Sequence, residues 1–249
     1  MDVVIGLQRF LGASAAVGRE VVPVPPLTAY LDRQDPLKFL NYAIPDPGAD
    51  PGPAEIDALR AVFRVRGRLT RLEWIEEAAP RVAAALEVAG MALELRTPLM
   101  ACRPQELAEA RYDVAGLVVI AVGPEEVREC ADLQREAFDQ PPLGEGEVPR
   151  DPSANGGGAV LARAGGIPVA AANWTMVIDS VSEVAGVATA GPWRRRGLAG
   201  VVTAAAARAA FSAGASLCVL SPGDDTAQGV YARVGFRRVA TMLHWSDPD

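Results

Sequence analysis

The sequence predicts a two-domain α/β protein with a mixed sheet. Its length, its composition and the order of its predicted elements support this prediction. At 249 residues the chain is longer than one typical domain, so we expect two domains. Half of its residues are hydrophobic and 22% are charged, which provides enough apolar surface for packed cores. From Gly116 onward, strand-like apolar runs alternate with helical segments, an order typical of α/β folds. A polar connector over residues 103–112 separates the predicted domains, which we place at 1–110 and 115–249.

The N-terminal half contains two predicted helices and two predicted strands. Ile56, Leu59 and Phe63 have the spacing of one face of a helix. Pro80 and Gly90 mark the start and the stop of a second helix. The predicted elements are helix 54–63, strand 68–74, helix 79–90 and strand 91–100.

The C-terminal half has a longer series of elements. Pro124 and the two glutamates after it are typical of a helix start. The Ala164-Gly165-Gly166 segment is typical of a hairpin turn. The predicted elements are strand 117–122, helix 124–138, strands 159–163, 167–177 and 181–189, helix 198–213, strand 216–220, helix 226–234 and strand 236–245.

The overall charge and the rare residue types restrict the function. A formal net charge of −7 argues against nucleic-acid binding. No charged-then-apolar leader follows Met1 and no long apolar run occurs, so we expect a cytoplasmic protein without membrane contact. The single histidine, His244, and the scattered cysteines lack metal-ligand spacing. We therefore expect no metal and three buried thiols, at Cys102, Cys130 and Cys218.

One short segment carries a chemical signal, and it lies between a predicted strand and an alanine-rich predicted helix. A helix start leaves backbone N–H groups unpaired and has partial positive charge, which suits a phosphate group. Small residues allow close approach of the ligand, and arginines add charge-assisted hydrogen bonds. On this segment alone, a phosphate site and an ordinary capped helix remain equally open interpretations. The candidate ligand-binding residues are Arg194, Arg195, Arg196, Gly197, Leu198, Ala199 and Gly200.

Three elements in order resemble the Gcn5-related N-acetyltransferase (GNAT) family. The loop matches Arg/Gln-x-x-Gly-x-Gly/Ala as Arg194-x-x-Gly197-x-Ala199, and the strand 183–189 precedes it. The segment Ala227-x-x-Val230-Tyr231-x-x-Val234-Gly235-Phe236 is similar to a second family element. The resemblance covers about residues 117–245. It implies a GNAT fold, acetyl-CoA as cosubstrate and transfer of an acetyl group to an amine acceptor.

The resemblance also implies roles for individual residues. Backbone groups of Val187, Ala188 and Thr189 would hold the pantetheine arm, and the loop amides would bind the pyrophosphate. Tyr231 matches the family's general acid, whereas its alternative role is packing a helix on the sheet. Glu183 is the candidate general base, with a solvated strand residue as the alternative and Asp179 in reserve.

The sequence departs from the family pattern at two places. Pro192 stands one position later than the family's proline. Asp224 replaces a frequent asparagine that contacts the pantetheine arm, which either weakens that contact or is unrelated to it.

The N-terminal half is similar in order to a degenerate second GNAT copy, because helix 79–90 is followed by a strand. It lacks the Arg-x-x-Gly-x-Gly/Ala loop, so we expect it to bind no CoA and instead to wall the acceptor pocket or stabilise the fold. We predict an N-acetyltransferase acting on a primary amine of a small molecule or a protein. The alternatives are a non-catalytic acyl-CoA sensor and a tandem enzyme of the mycothiol-synthase kind. Sheet edges near 216–221 leave homodimerisation open.

Overall fold

The computed structural model describes residues 3–248, and the chain divides into two compact units. Unit 1 comprises Met1–Leu99 with Arg238–Asp249, and unit 2 comprises Met100–Arg237. The predicted mixed α/β class is confirmed. The elements in chain order are α1 (Val3–Ala16), β1 (Glu20–Val24), β2 (Leu27–Leu31), β3 (Tyr42–Pro45), α2 (Pro53–Val65), β4 (Arg71–Ile75), α3 (Val82–Val88), β5 (Ala92–Cys102), β6 (Leu117–Ala121), α4 (Val127–Ala137), β7 (Gly158–Ala164), β8 (Ile167–Trp174), β9 (Val181–Thr189), α5 (Leu198–Ser212), β10 (Leu217–Leu220), α6 (Asp225–Arg233) and β11 (Arg237–Ser246).

Unit 1 is built on strands in the order β1-β2-β3-β4-β11-β5. The division between the units falls within β5, so residues up to Leu99 of this strand belong to unit 1 and the rest to unit 2. Its main core packs α2 and α3 against the sheet around Trp74, Phe63 and Leu86, which are all fully buried. Pro53 opens α2, and Glu55 accepts a hydrogen bond from the Gly52 backbone N–H at 3.0 Å, which satisfies a free donor at the helix start. The predicted α2, β4, α3 and β5 are present. The sequence analysis predicted neither α1 nor the strands β1–β3. In the β1–β2 hairpin, prolines at 23, 25 and 26 oppose the usual strand pattern.

Unit 2 has the strand order β5-β10-β9-β8-β7-β6, with β9 and β10 parallel. The helices α4 and α5 pack on opposite faces of this sheet. Alternate β8 residues demonstrate this, because Ala170 and Ala172 lie in the core beneath α5, whereas Ala171 lies in the core beneath α4. Each predicted element of the C-terminal half is present within about three residues of its predicted bounds.

The two units divide the chain differently from the predicted domains. The predicted boundary lies inside unit 2, because the connector after β5 packs against α5 and α6 of that unit. The last strand lies in unit 1, because β11 pairs antiparallel with β4, with His244 opposite Glu73. Long-range strand pairing of this kind leaves no mark in local composition.

Candidate functional site

A groove of about 1020 Å³ crosses unit 2 where the start of α5 meets the end of β9. Its volume is at the upper end of the range for small-molecule sites. Five segments line it: the connector, the end of α4, the end of β9, the loop and first turn of α5, and α6. The lining residues are Ala108, Glu109, Ala110, Arg111, Ala137, Phe138, Val187, Ala188, Thr189, Arg194, Arg195, Gly197, Leu198, Ala199, Gly200, Asp224, Thr226, Ala227, Val230, Arg233 and Val234.

The start of α5 has a backbone geometry that only glycine tolerates at one position. Gly197 is the N-cap residue with φ +84°, and Arg195 also has a positive φ of 63°. A Cβ atom at Gly197 would collide with the carbonyl oxygen of Arg111. The connector is fixed on both sides, since Asp113 donates to the Arg196 carbonyl at 3.1 Å and Ala108 donates to the Val234 carbonyl at 3.2 Å. The packing of the connector therefore requires glycine at this position.

The groove is electropositive within an acidic protein. Four arginines line it against two acidic residues, although the whole chain has a formal net charge of −7. The first turn of α5 adds unpaired N–H groups and the positive end of the helix dipole. This combination favours an anionic ligand, and phosphate groups fit it well.

One edge of β9 is open to the groove. The parallel pairing of β9 with β10 ends at Glu183 opposite Val219, whereas β9 continues to Thr189. The backbone beyond this point can pair with an extended amide-containing ligand as with an added strand. The hydroxyl oxygen of Thr189 is also buried, and it has no hydrogen-bond partner among residues 3–248.

β9 contains a bulge within this open stretch. Asn173 pairs with Ala185 and Ala171 pairs with Ala188, so Ala172 lies opposite both Gly186 and Val187. Gly186 has φ +59°, the left-handed conformation of a bulge glycine. The extra residue shifts the side-chain alternation by one. Val184 and Val187 consequently face the core beneath α5, while Ala188 faces the core beneath α4.

The chain is similar to a known protein family and to solved structures. Residues 162–245 match the FR47-like protein family model. A GCN5-related N-acetyltransferase from Kribbella flavida is 34% identical, with a TM-score of 0.84 over 100% of this chain and 97% of its own. The chain belongs to the GNAT family. It therefore has the fold of acyl-CoA-dependent acetyltransferases.

More distant GNAT structures share the fold alone. A GCN5-related N-acetyltransferase from Sphaerobacter thermophilus is 14% identical, with a TM-score of 0.60 over 89% of this chain and 76% of its own. A tandem GNAT protein from the clavulanic acid biosynthesis pathway is 11% identical, also with a TM-score of 0.60, over 90% of this chain and 79% of its own. No protein of curated function matches the chain.

The GNAT groove brings together nearly all of the residues predicted to bind CoA. Arg196 is the exception, because its guanidinium lies 5.0 Å from the ring centre of Trp193, outside the lining. Arg194 lines the groove and also ties the loop down, donating to the carbonyl of Thr189 at 3.3 Å and to that of Ala137 at 3.5 Å. These roles as ligands remain predictions.

Asp224 has a structural role that its sequence context did not reveal. It is the N-cap residue of α6, and its carboxylate accepts a hydrogen bond from the Ala227 backbone N–H at 2.7 Å. This is the preferred chemistry for a helix start. Asp224 also lines the groove, so its contact with the pantetheine arm stays a prediction.

Tyr231 is buried beside the groove rather than in its lining. Its side chain belongs to the core beneath α5, and the residue is 8% exposed. Burial, with a smaller effect of the Asp224 charge, raises the pKa of its phenol to about 12. At neutral pH the phenol is therefore a proton-bearing hydrogen-bond donor.

The candidate bases lie outside the groove lining. The backbone of Glu183 is held by Thr175, whose hydroxyl accepts from the Glu183 N–H at 2.9 Å. Strand alternation before the bulge places Glu183 on the face opposite Val184, the face that α4 covers. Asp179 is exposed in the turn before β9 with φ +49°. Neither position tests a catalytic role.

Sequence reasoning missed the connector and the bulge. No residue pattern marked 108–111 as a groove wall, and the glycine at 186 was the one available signal for the bulge.

The three cysteines are buried and free, as predicted, and burial raises their thiol pKa values to about 11 or 12. Within residues 3–248, no three acidic, histidine or cysteine side chains are grouped to hold a metal ion. None of the helices in this part of the chain has the length and hydrophobicity of a membrane-spanning segment.

Proposed function

We propose that this GNAT protein transfers an acetyl group from acetyl-CoA to a primary amine of a small molecule or a protein. One observation carries the proposal. The positive start of α5 and the open edge of β9 line the same electropositive groove. A ligand with a diphosphate at one end and an amide-rich arm at the other matches both features.

Different groove residues bind different parts of acetyl-CoA. The free amides at the start of α5 bind the diphosphate, and Arg195 adds charge from an exposed position. The open edge of β9 pairs with the amides of the pantetheine arm. At the end of the same strand, Thr189 offers a buried hydroxyl that has no hydrogen-bond partner within residues 3–248. In this arrangement the thioester lies at the bulge formed by Gly186 and Val187.

Acetyl transfer then requires the amine nitrogen to attack the thioester carbon, the C–S bond to break and a thiolate to leave. Glu183 is the proposed acceptor for the amine proton, directly or through water. Tyr231 donates a hydrogen bond to the departing sulfur. Full proton transfer from a phenol of pKa about 12 to a thiolate of pKa about 8.5 is uphill by about 5 kcal/mol. The phenol therefore stabilises the thiolate while keeping its own proton.

Ala199 in the first turn of α5 provides a direct test. An acidic residue there stabilises a helix start by about 0.3–1 kcal/mol, but its charge repels a diphosphate. We expect Ala199→Glu to fold at least as well as wild type and to bind CoA at least about tenfold more weakly, which is about 1.4 kcal/mol. Isothermal titration calorimetry with CoA and acetyl-CoA measures this effect.

The matched control is Ala199→Gln, which adds the same bulk without charge and should bind CoA more tightly than Ala199→Glu. Wild-type protein that gives no heat with either ligand would remove the proposed function. Equal affinity in all three proteins would remove the α5 site.

A second candidate is a non-catalytic acyl-CoA sensor, and the burial of Tyr231 outside the groove lining favours it. Turnover separates the two functions. Thiol release from acetyl-CoA with a panel of primary amines, compared between wild type and Tyr231→Phe, should show a rate that the variant loses at unchanged CoA affinity. Absence of turnover with every amine, at intact CoA binding, would favour the sensor.

A further inference from the structure

Gln134 on α4 reaches across to the bulge of β9 with a single side-chain amide. Its nitrogen Nε2 donates to the Gly186 carbonyl at 2.7 Å and to the Asn173 side-chain oxygen at 3.0 Å. Asn173 lies on β8 directly opposite Ala185. Both N–H bonds of the Gln134 amide are thus used on the two strands that flank the bulge.

A side chain at position 186 would push the Gln134 amide out of this contact. A Cβ atom there would lie 2.6 Å from Gln134 Nε2 and 3.0 Å from Asn173 Nδ2. Glycine is also the residue that adopts φ +59° without strain. The Gln134 contact as observed therefore needs a residue without a side chain at position 186.

The hydrogen bond orients one particular peptide group. The Gly186 carbonyl and the Val187 N–H belong to the same planar trans peptide, so they point in opposite directions. Gln134 holds the carbonyl toward α4, which aims the Val187 N–H away from α4. Val187 lines the groove and packs on the face that α5 covers.

We propose that Gln134 is a positioning residue for acetyl transfer. By holding the Gly186 carbonyl, it directs the Val187 N–H at the thioester oxygen, which gains negative charge when the amine attacks. A fixed donor is worth most at that stage, because its orientation costs no further reorganisation. This role rests on the proposed function, and it deepens it by naming the side chain that aims the donor.

Gln134→Leu removes both donors and keeps an apolar side chain on α4. Loss of an oxyanion donor lowers kcat by about 10²–10³, and a loosened donor costs less. We expect kcat to fall by about 10- to 100-fold, with CoA affinity within about threefold of wild type, since the diphosphate keeps its contacts at the start of α5 and the arm keeps those at Ala188 and Thr189. The assay is thiol release from acetyl-CoA with the best primary amine of a panel, together with calorimetry.

The matched control is Leu133→Ala, one residue away and buried in the core beneath α4. It removes apolar contacts from that core and leaves the Gln134 hydrogen bonds to Gly186 and Asn173 in place, so we expect lower thermal stability and little change in kcat per folded molecule. A kcat for Gln134→Leu equal to that of wild type would overturn the proposal. So would a loss that Leu133→Ala reproduces at equal loss of stability.

A second variant and a spectroscopic signal keep the test independent of folding defects. Gln134→Glu has the same size, but its carboxylate cannot donate to the Gly186 carbonyl, so we expect the same loss of kcat. In wild type, the backbone amide resonance of Val187 should shift between the CoA and acetyl-CoA complexes. That shift should shrink in Gln134→Glu, and an unchanged shift would contradict the role. Wild-type protein that binds no CoA would instead refute the proposed function itself.

Discussion

Raising the pH tests whether the Tyr231 phenol is held in a buried site beside the groove. In the folded protein its pKa is raised to about 12, whereas an unfolded chain has a tyrosine pKa of about 10. Between these values the unfolded state loses the proton while the folded state keeps it. The unfolded state then binds fewer protons, so stability falls as pH rises.

The magnitude follows from the two pKa values. The contribution of Tyr231 is fully present below pH 10, is reduced by about 1.4 kcal/mol at pH 11, and is reduced by about 2.7 kcal/mol well above pH 12. Tyr231→Phe lacks this ionisation. The difference in unfolding free energy between wild type and Tyr231→Phe should therefore shift by about 1.4 kcal/mol between pH 8 and pH 11.

Urea unfolding at the two pH values measures this double difference, in which the other titrating groups cancel. Catalysis supplies a second measurement, because only about 1% of the phenol is ionised at pH 10 when its pKa is about 12. The rate should show no alkaline limb near pH 10 that depends on Tyr231. A limb near pH 10 that disappears in Tyr231→Phe, or a double difference that does not change, would refute the buried-donor argument.

Two further predictions concern stability. Gly197→Ala should destabilise unit 2 by at least about 1–2 kcal/mol without any ligand, because Gly197 has φ +84° and an added Cβ atom would collide with the Arg111 carbonyl. Urea unfolding measures this loss, with Gly191→Ala as the control because position 191 is open to a Cβ atom. Equal stability of the two variants would contradict the prediction. Burial, together with the nearby Arg71 charge, lowers the pKa of His244 to about 4, so the unfolded state binds the extra proton first and stability falls as pH drops below 6.5. Between pH 6.5 and pH 4.5 the loss of unfolding free energy should be about 2–3 kcal/mol. His244→Gln should lack this loss. If that variant shows the same dependence of stability on pH as wild type, the explanation is wrong.

Local patterns predicted the elements of unit 2 well. Helical spacing, the proline at 124 and the glycines at 165 and 166 are short-range signals, and the structure has α4, the β7–β8 hairpin and α5 where these signals lie. The groove loop could be read for the same reason, since a helix start and small residues are contiguous in the chain. The strands β1–β3 could not, because their prolines oppose the usual strand pattern and only pairing with one another makes them strands.

The amino-acid pattern alone was sufficient for the α/β class, the family and the position of the loop that lines the groove, because each depends on residues that are neighbours along the chain. Three features required the folded chain: the pairing of β11 with β4, the connector that packs on Gly197, and the contact of Gln134 with Gly186. The last joins positions 52 residues apart. No local propensity encodes such a meeting, because it arises only when the packing of α4 on the sheet brings a side-chain amide to a carbonyl released by the bulge.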